Sequence, residues 1–357
     1  MKYTWSYIQK NPKQVKRLLG ISYEELNQLI EICRSQHEEN QKLKETNKIR
    51  LIRAGGGKKA NLILEEQIIL TLMYLRQGLT FQILGLLFEV SESTAHNIFN
   101  YWQRVFREVL PASLMETIKK LEINLEEFQE KLADYELIVD SSEQPMERPL
   151  DYQEQKKYYS GKKKHHTLKT QFITLPQGKD IVDVVVGYPG PKSDIKLFQE
   201  HKNIFSKEQT FSGDKAYIGD EQMTTPQKKP KNGELTSSQR EENKKLSSQR
   251  IFVEHIIRLV KVFQVGRDRF RLRVARYKSI ILTLCGLVRL RLGQANLVSL
   301  KGRDRIFDSL TLRVNRAEEN ALNPSQFFEE LLGLDSSNSD TLVFEEEIFD
   351  CLICDKT

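Results

Sequence analysis

Tyr135-Glu136-Leu137-Ile138-Val139-Asp140-Ser141-Ser142 is an apolar run that closes on an acid, and its reading decides the fold. A short Leu/Ile/Val run of this kind reads as a strand, which places Asp140 at a strand end. Two further acids carry distinctive local signatures. Asp214 ends a short segment and precedes a turn in Phe211-Ser212-Gly213-Asp214-Lys215-Ala216-Tyr217, and Glu254 lies in a helical stretch, Arg250-Ile251-Phe252-Val253-Glu254. Carboxylates on two strand ends and one helix form a set that can hold two divalent ions for phosphodiester chemistry.

Working outward, 135–140, 166–175 and 180–188 read as successive strands rich in Val, Ile, Thr and Phe, with Gly178 at the turn between the second and third. A helix starts at Ser193-Asp194 after Pro189-Gly190-Pro191, with Ser193 as its cap. A fourth strand at 209–212 runs into Asp214, and amphipathic helices follow at 250–263 and 277–292. Three strands, a helix, a fourth strand and a later long helix match the order of an RNase-H-like fold. The expected class is therefore α/β, a mixed sheet flanked by helices, preceded by an all-α helix-turn-helix domain. In such a sheet the first and fourth strands are neighbours, so Asp140 and Asp214 meet across the 73 residues between them. Carboxylate oxygens suit magnesium, whereas cysteine or imidazole favours softer metals.

At about 100° per residue, Arg250, Glu254, Arg258 and Lys261 fall within about 80° of one another, apart from an apolar stripe of Phe252, Ile256, Leu259, Val260 and Phe263. One reading gives Glu254 to metal and the cations to phosphates; the other is a solvated face with i,i+4 ion pairs. Asp194 competes for the third carboxylate position, but its place at a helix start gives it a structural role. Asp183 and Asp220 are weaker candidates.

Residues 1–54 read as a helical region, with Asn11-Pro12 at one helix start and Ser22-Tyr23-Glu24-Glu25 as a capping box, turning polar from 34 to 50. Residues 55–62 read as a basic, glycine-rich linker. Its Gly55-Gly56-Gly57-Lys58-Lys59 lacks the preceding strand and the Gly-Lys-Ser/Thr of a phosphate loop. Residues 63–112 read as three helices, the second capped by Thr80 and the third opening at Ser91. That pattern fits a helix-turn-helix whose third helix reads the major groove through Ser93, Thr94, His96 and Asn97. It also fits an ordinary three-helix bundle with a polar outer face. A connecting helix is expected at 113–134, a catalytic domain at 135–293 with a polar insertion at 220–249, and an acidic extension at 294–357.

The chain has 357 residues, 39% of them hydrophobic, enough for packed cores. Its net charge of +6 conceals an asymmetry: 317–357 holds eleven acids and one base, which leaves +16 over 1–316. So basic a body points to a polyanionic partner. Two clusters add to this reading. Lys156 to His166 mixes cations, including Lys162, Lys163 and Lys164, with Tyr158 and Tyr159, which can stack on unpaired bases. Arg267, Arg269, Arg271, Arg273 and Arg276 alternate around Phe270 and Leu272. Either cluster also fits a solvated surface. His165-His166 lacks a third ligand for zinc, and Cys351 with Cys354 lacks a partner pair. Four scattered cysteines make no disulfide framework, no apolar run reaches the length of a membrane span, and the start lacks a signal-peptide pattern. A cytoplasmic, nucleoid-associated protein is expected.

The residues together resemble the DDE-type transposases of bacterial insertion sequences, in the group related to the Harbinger elements. The resemblance runs from about residue 1 to 293. It rests on Leu137 to Pro145, Tyr158 to His165, Gly213 to Tyr217, and the spacing of Arg250, Glu254 and Lys261. It implies an RNase-H-like catalytic domain with Asp140, Asp214 and Glu254 as triad, two magnesium ions for which manganese can substitute, and the choice of Glu254 over Asp194. It further implies double-stranded DNA as partner, cleavage at terminal inverted repeats, strand transfer into target DNA, and work as a homodimer or larger assembly. Ser247 stands where many members have a tyrosine, and the acidic segment after about 294 falls outside the usual pattern. Two alternatives belong to other classes: a domesticated DNA-binding regulator without catalysis, and an RNase-H-like endonuclease or resolvase that cuts without joining. The acidic segment is expected to compete with DNA for the basic body. Deleting 295–357 should then strengthen duplex binding at low salt, and unchanged affinity would refute the competition.

Overall fold

The computed structural model describes residues 4–46, 61–231 and 233–294. The Gly55–Lys59 run, the acidic extension and Cys351 and Cys354 lie outside them. The chain opens with α1 (Thr4–Lys10), α2 (Val15–Leu19) and α3 (Tyr23–Thr46). The box ahead of α3 forms: Ser22 N–H donates to Glu25 Oε2 at 2.6 Å and Glu25 N–H to Ser22 Oγ at 3.2 Å. Leu26, Leu29, Ile30 and Cys33 are buried at i, i+3, i+4, i+7 spacing. The helix continues to Thr46 through the polar stretch read from 34 onward, because a helix anchored on one buried stripe can extend a hydrated outer face.

Next come α4 (Leu64–Gln77), α5 (Phe81–Phe88) and α6 (Glu92–Val109). Gly78 ends α4 at φ +60°, a left-handed conformation that costs glycine little. Thr80 Oγ1 accepts from Ile83 N–H at 3.3 Å and Ser91 Oγ from Thr94 N–H at 3.1 Å, so both expected caps form. Ala95, Phe99, Trp102 and Phe106 turn inward from α6, and the Trp102 indole donates to Gln67 Oε1 at 2.9 Å. The stretch at 113–134 is two helices rather than one, α7 (Leu114–Lys120) and α8 (Leu125–Ala133). Ser113 caps the first and Asn124 the second, and Glu122 reverses the chain between them at φ +52°.

The sheet is built from β1 (Leu137–Pro145), then α9 (Tyr152–Tyr158), β2 (Tyr159–Ser160), β3 (His165–Thr174) and β4 (Ile181–Pro189), then α10 (Asp194–His201), β5 (Phe211–Ser212) and β6 (Met223–Thr224). β1 pairs antiparallel with β3, placing Asp140 opposite Phe172, and β4 lies outside β3. On the other side β5 runs parallel to β1, with Leu137 opposite Phe211 and Ile138 opposite Ser212, and β6 runs parallel to β5. The order β4-β3-β1-β5-β6 is the RNase-H-like arrangement expected from the element order. Residues 220–249 are not one polar loop. Met223 and Thr224 form the edge strand, and α11 (Ser237–Lys261) begins well before residue 250, behind a Thr236/Gln239 capping box. The last described elements are α12 (Gln264–Arg267) and the largely buried α13 (Tyr277–Arg291).

One buried ion pair joins the helical N-terminal part to this sheet. Arg289 of α13 donates to both Asp180 oxygens, at 2.6 and 2.8 Å. It also donates to the Pro111 and Ser113 carbonyls at 3.0 Å and to Thr117 Oγ1 at 2.9 Å. The side chains are 1% and 3% exposed. A charge so placed is tolerated only when every donor is used, and removing one partner strands the other. Arg289→Met should therefore cost about 3–5 kcal/mol of unfolding free energy, and Asp180→Leu added to it should restore a large share. Chemical denaturation of the single and double variants checks this; a double variant weaker than the single would refute it.

Candidate active site

Asp140 sits near the middle of β1, not at its end, because the strand continues to Pro145 as the partner of β3. Its Oδ1 accepts from Ser141 N–H at 2.8 Å. Asp214 follows β5 and caps a short 3-10 turn, accepting from Ala216 N–H at 2.8 Å. Gly213 before it is tightly enclosed: a Cβ there would lie 3.0 Å from both the Met223 sulfur and the Tyr217 ring, so either would have to shift to make room. Glu254 lies on the exposed face of α11, with Val253, Ile256, Ile257, Leu259 and Val260 buried beneath it. Arg250, one turn earlier, reaches Glu254 Oε1 at 3.8 Å, the i,i+4 pair weighed in the sequence.

Asp140 feels both other acids. Burial pushes its carboxyl up to about 7; the Arg250 guanidinium and the Ser141 N–H oppose the rise, while the charges of Asp214 and Glu254 add to it. The three carboxylates therefore share one electrostatic neighbourhood. As their side chains stand, no three acids, histidines or cysteines among the described residues close around an ion. The donor set still suits a hard divalent cation, since it consists of carboxylates and its negative charges already oppose one another.

Arg250 and Arg258 are partly buried and Lys261 partly exposed on the same helix. Lys162, Lys163 and Lys164 are exposed on the turn between β2 and β3, with His165 beside them. Ser93, Thr94, His96 and Asn97 are all exposed on the first turns of α6. His96 is engaged within the protein: its ring packs edge-on against Phe81 at 5.0 Å and meets Asn100 Nδ2 at 3.2 Å. Asp194 takes the structural role read for it, at the first position of α10 and 2.8 Å from the buried Lys169 ammonium. Ser193 occupies the cap position, yet its side chain makes no cap bond.

A polar network behind Asp140 escaped the sequence reading. The Tyr217 and Ser141 hydroxyls share a 2.7 Å bond. Gln171 Nε2 donates to Tyr217 Oη at 3.1 Å and to the Asp194 carbonyl at 3.2 Å. Gln171 stands opposite Ser141 across β1 and β3, so the network braces β1 one residue from Asp140. Tyr217 was visible only as part of the Gly213–Tyr217 signature; nothing in the sequence pairs it with Gln171.

The raised Asp140 value sets a pH signature for the metal-free protein. The folded value lies above the ordinary 3.8, so the fold favours the protonated acid. That contribution is complete below about pH 4 and is lost as pH rises through about 7. In chelator, the parent should lose melting temperature between pH 5 and pH 8 relative to Asp140→Asn. At pH 8 the variant should melt higher by about 2–4 °C. A variant that melts lower there would contradict the assignment.

Comparison with known proteins agrees with this geometry. Residues 139–289 match the family described as "DDE superfamily endonuclease", and residues 60–112 match "Helix-turn-helix of DDE superfamily endonuclease". A protein of Microchaete diplosiphon, "Probable transposase for insertion sequence element IS702", is 30% identical over 277 residues, covering 75% of this chain and 91% of the relative. No solved structure matches. The first match spans the sheet and the helices that carry all three acids, the second spans α4 to α6, and the relative spans nearly its own whole length. The chain belongs to the DDE-type insertion-sequence transposases, with a helix-turn-helix DNA-binding domain ahead of a DDE endonuclease domain.

Proposed function

We propose that this transposase binds the terminal inverted repeats of its insertion sequence and catalyses magnesium-dependent strand cleavage and strand transfer at Asp140, Asp214 and Glu254. The observation that carries the proposal is the coupling of Asp140 to the other two acids across the β1–β5 edge, beside Arg250. Divalent ions bound there supply an activated nucleophile and a stabilised leaving oxygen. The chain's own groups do the rest. Asp140 would hold such an ion as its carboxylate, with the Tyr217–Ser141–Gln171 network holding its strand in place. Arg250, Arg258 and Lys261 bind the phosphates flanking the scissile bond. Lys162, Lys163 and Lys164 hold the flanking backbone as an exposed basic turn. Ser93, Thr94 and Asn97 present short polar groups to base edges, and His96, packed on Phe81, positions the start of the helix.

Among the described residues no helix is long and apolar enough to cross a membrane. Action on paired ends calls for a dimer or larger assembly, at the nucleoid where the DNA lies. The regulator reading leaves three mutually repelling carboxylates without purpose, and a nuclease that merely cuts has no need of a sequence-reading helix.

Asp140→Asn, Asp214→Asn and Glu254→Gln should each lower magnesium-dependent cleavage of the element's ends by at least about 100-fold, since each removes several kcal/mol of charge stabilisation. Duplex binding should persist in all three. Full cleavage in any one removes that residue from the triad, and cleavage without joined products in the parent identifies an endonuclease instead.

A further inference from the structure

The segment from Arg267 to Arg276 crosses between the two DNA-facing parts of the molecule. At its start Phe270 N–H donates to the Pro145 carbonyl at the end of β1, at 2.8 Å. Arg271 then reaches the Gly78 carbonyl in the turn between α4 and α5, at 3.4 Å, and Arg276 donates to Asn100 of α6 while lying 5.3 Å over the Phe99 ring. Arg271 and Arg276 both act on the Tyr74 hydroxyl from nearby. The strap is thus packed along the helix-turn-helix rather than hanging free.

Its arginines fall into two groups. Arg267 pairs with Asp268 at 3.0 Å and Arg269 with Glu147 at 3.4 Å. Arg271 and Arg273 are exposed and, among the described residues, have no carboxylate partner. The acids that share a groove with Arg273 are engaged elsewhere: Glu147 by Arg269, Glu154 by Lys157 at 3.2 Å, and Asp151 by the Glu154 N–H it caps at 2.9 Å. On α6, Arg104 is exposed too. At about 100° per residue, Ser93, Asn97, Asn100 and Arg104 share a stripe about 60° wide. Arg276 meets that stripe at Asn100. Like charges held together without acids are unfavourable unless an anion joins them, and Arg104 stands close enough to Arg276 to disfavour its charge.

The geometry points to a phosphate rail made of Arg104, Arg271 and Arg273, which carries the duplex backbone from the recognition helix toward the catalytic domain. Ser93 and Arg104 are about 16 Å apart along the helix, more than the roughly 12 Å width of the major groove. With the first turn of α6 at base edges, Arg104 therefore lies at the phosphates bordering the groove. The strap continues the track to the end of β1, four to five residues beyond Asp140. This inference rests on the transposase reading and adds a surface to it: the rail contributes affinity and direction, not sequence choice.

Fluorescence anisotropy against KCl concentration tests it, on the full chain with a random-sequence duplex and with a duplex carrying the element's end. Arg104→Ala/Arg271→Ala/Arg273→Ala should bind at least tenfold more weakly at low salt. Its log K against log[KCl] should be shallower by up to about 2.7, or about 0.9 per lost phosphate contact. The ratio of end to random duplex should hold, whereas Asn97→Ala should lower that ratio. The triple lysine variant should regain most of the slope, which a merely structural role would not produce. Should the triple alanine variant fail to fold, Arg273→Ala alone should lose about 0.9 of slope. An unchanged slope overturns the rail, as does binding of poly-glutamate as tight as that of the duplex. A parent chain that binds no duplex sinks the function proposed above and the rail with it.

Discussion

The parallel pairing of β1 with β5 is the constraint on which the site depends. It consists of two residue pairs, Leu137 with Phe211 and Ile138 with Ser212, yet it closes a loop of more than seventy residues. Two pairs of a parallel ladder contribute too little to hold such a closure alone, since loop entropy grows with the length enclosed. The reinforcement is aromatic and polar. Phe211 is buried against Phe198 at 4.8 Å and Phe205 at 5.3 Å, and Gln209 reaches the Tyr135 carbonyl at 2.6 Å. β6 covers the outer edge of β5, leaving that strand no free ladder. Asp140 and Asp214 share one electrostatic neighbourhood because the side chains around a four-residue ladder outweigh the cost of the crossover.

A second level of organisation fixes α6 to this sheet. Arg289 uses its donors on Asp180, at the start of β4, and on the chain between α6 and α7. Gln103 of α6 donates to Ser279 Oγ at 2.7 Å and Thr283 Oγ1 at 3.1 Å of α13. Arg76 donates to the Val262 carbonyl at the end of α11. These bonds are buried or partly buried and directional, so they select one docking of α4–α6 where apolar contact alone would permit sliding. The helix that carries Glu254 and α6 thereby belong to one packed unit.

How much of this was legible follows from where each element draws its stability. β3 and β4 are long, carry Val, Ile and Phe, and are readable nearly in place, whereas β1 announces itself only through Leu137–Val139 and its polar second half, to Pro145, carries no strand signal of its own. Thr80 and Ser91 announced their helices because a hydroxyl at the cap acts locally. The two-residue strands β2 and β6 left no signal, since they exist through their neighbours rather than their own propensity. Residues 237–249 read as a polar insertion because Ser, Gln, Glu and Lys there show no apolar stripe; they are helical as the outward extension of a packed segment. Asp214 and Glu254 are readable as a strand-end and a helix acid, and Asp140 as a strand acid whose strand runs on past it to Pro145, whereas the Tyr217–Ser141–Gln171 brace and the Arg289–Asp180 pair join residues whose proximity is set only by the finished fold.

Charge sets the terms on which the site meets a polyanion. Three acids stand where a phosphate backbone is proposed to run, and like charges about 4 Å apart repel by about 4 kcal/mol at an effective dielectric of 20. Retention of a proton by Asp140 up to about neutral pH removes part of that repulsion. Arg250 beside Glu254 offsets another part. The surface along α6 and the strap carries less of this conflict: its exposed arginines face solvent, Glu147 and Glu154 pair with Arg269 and Lys157, and Asp151 caps α9. On the proposed reading, affinity for duplex is supplied mostly away from the carboxylates, where each phosphate contact is favourable without proton loss or a bound cation. On that reading the carboxylate end would have only to receive a short stretch of backbone, and Asp140, Asp214 and Glu254 are the residues that would hold the cations lowering its net charge.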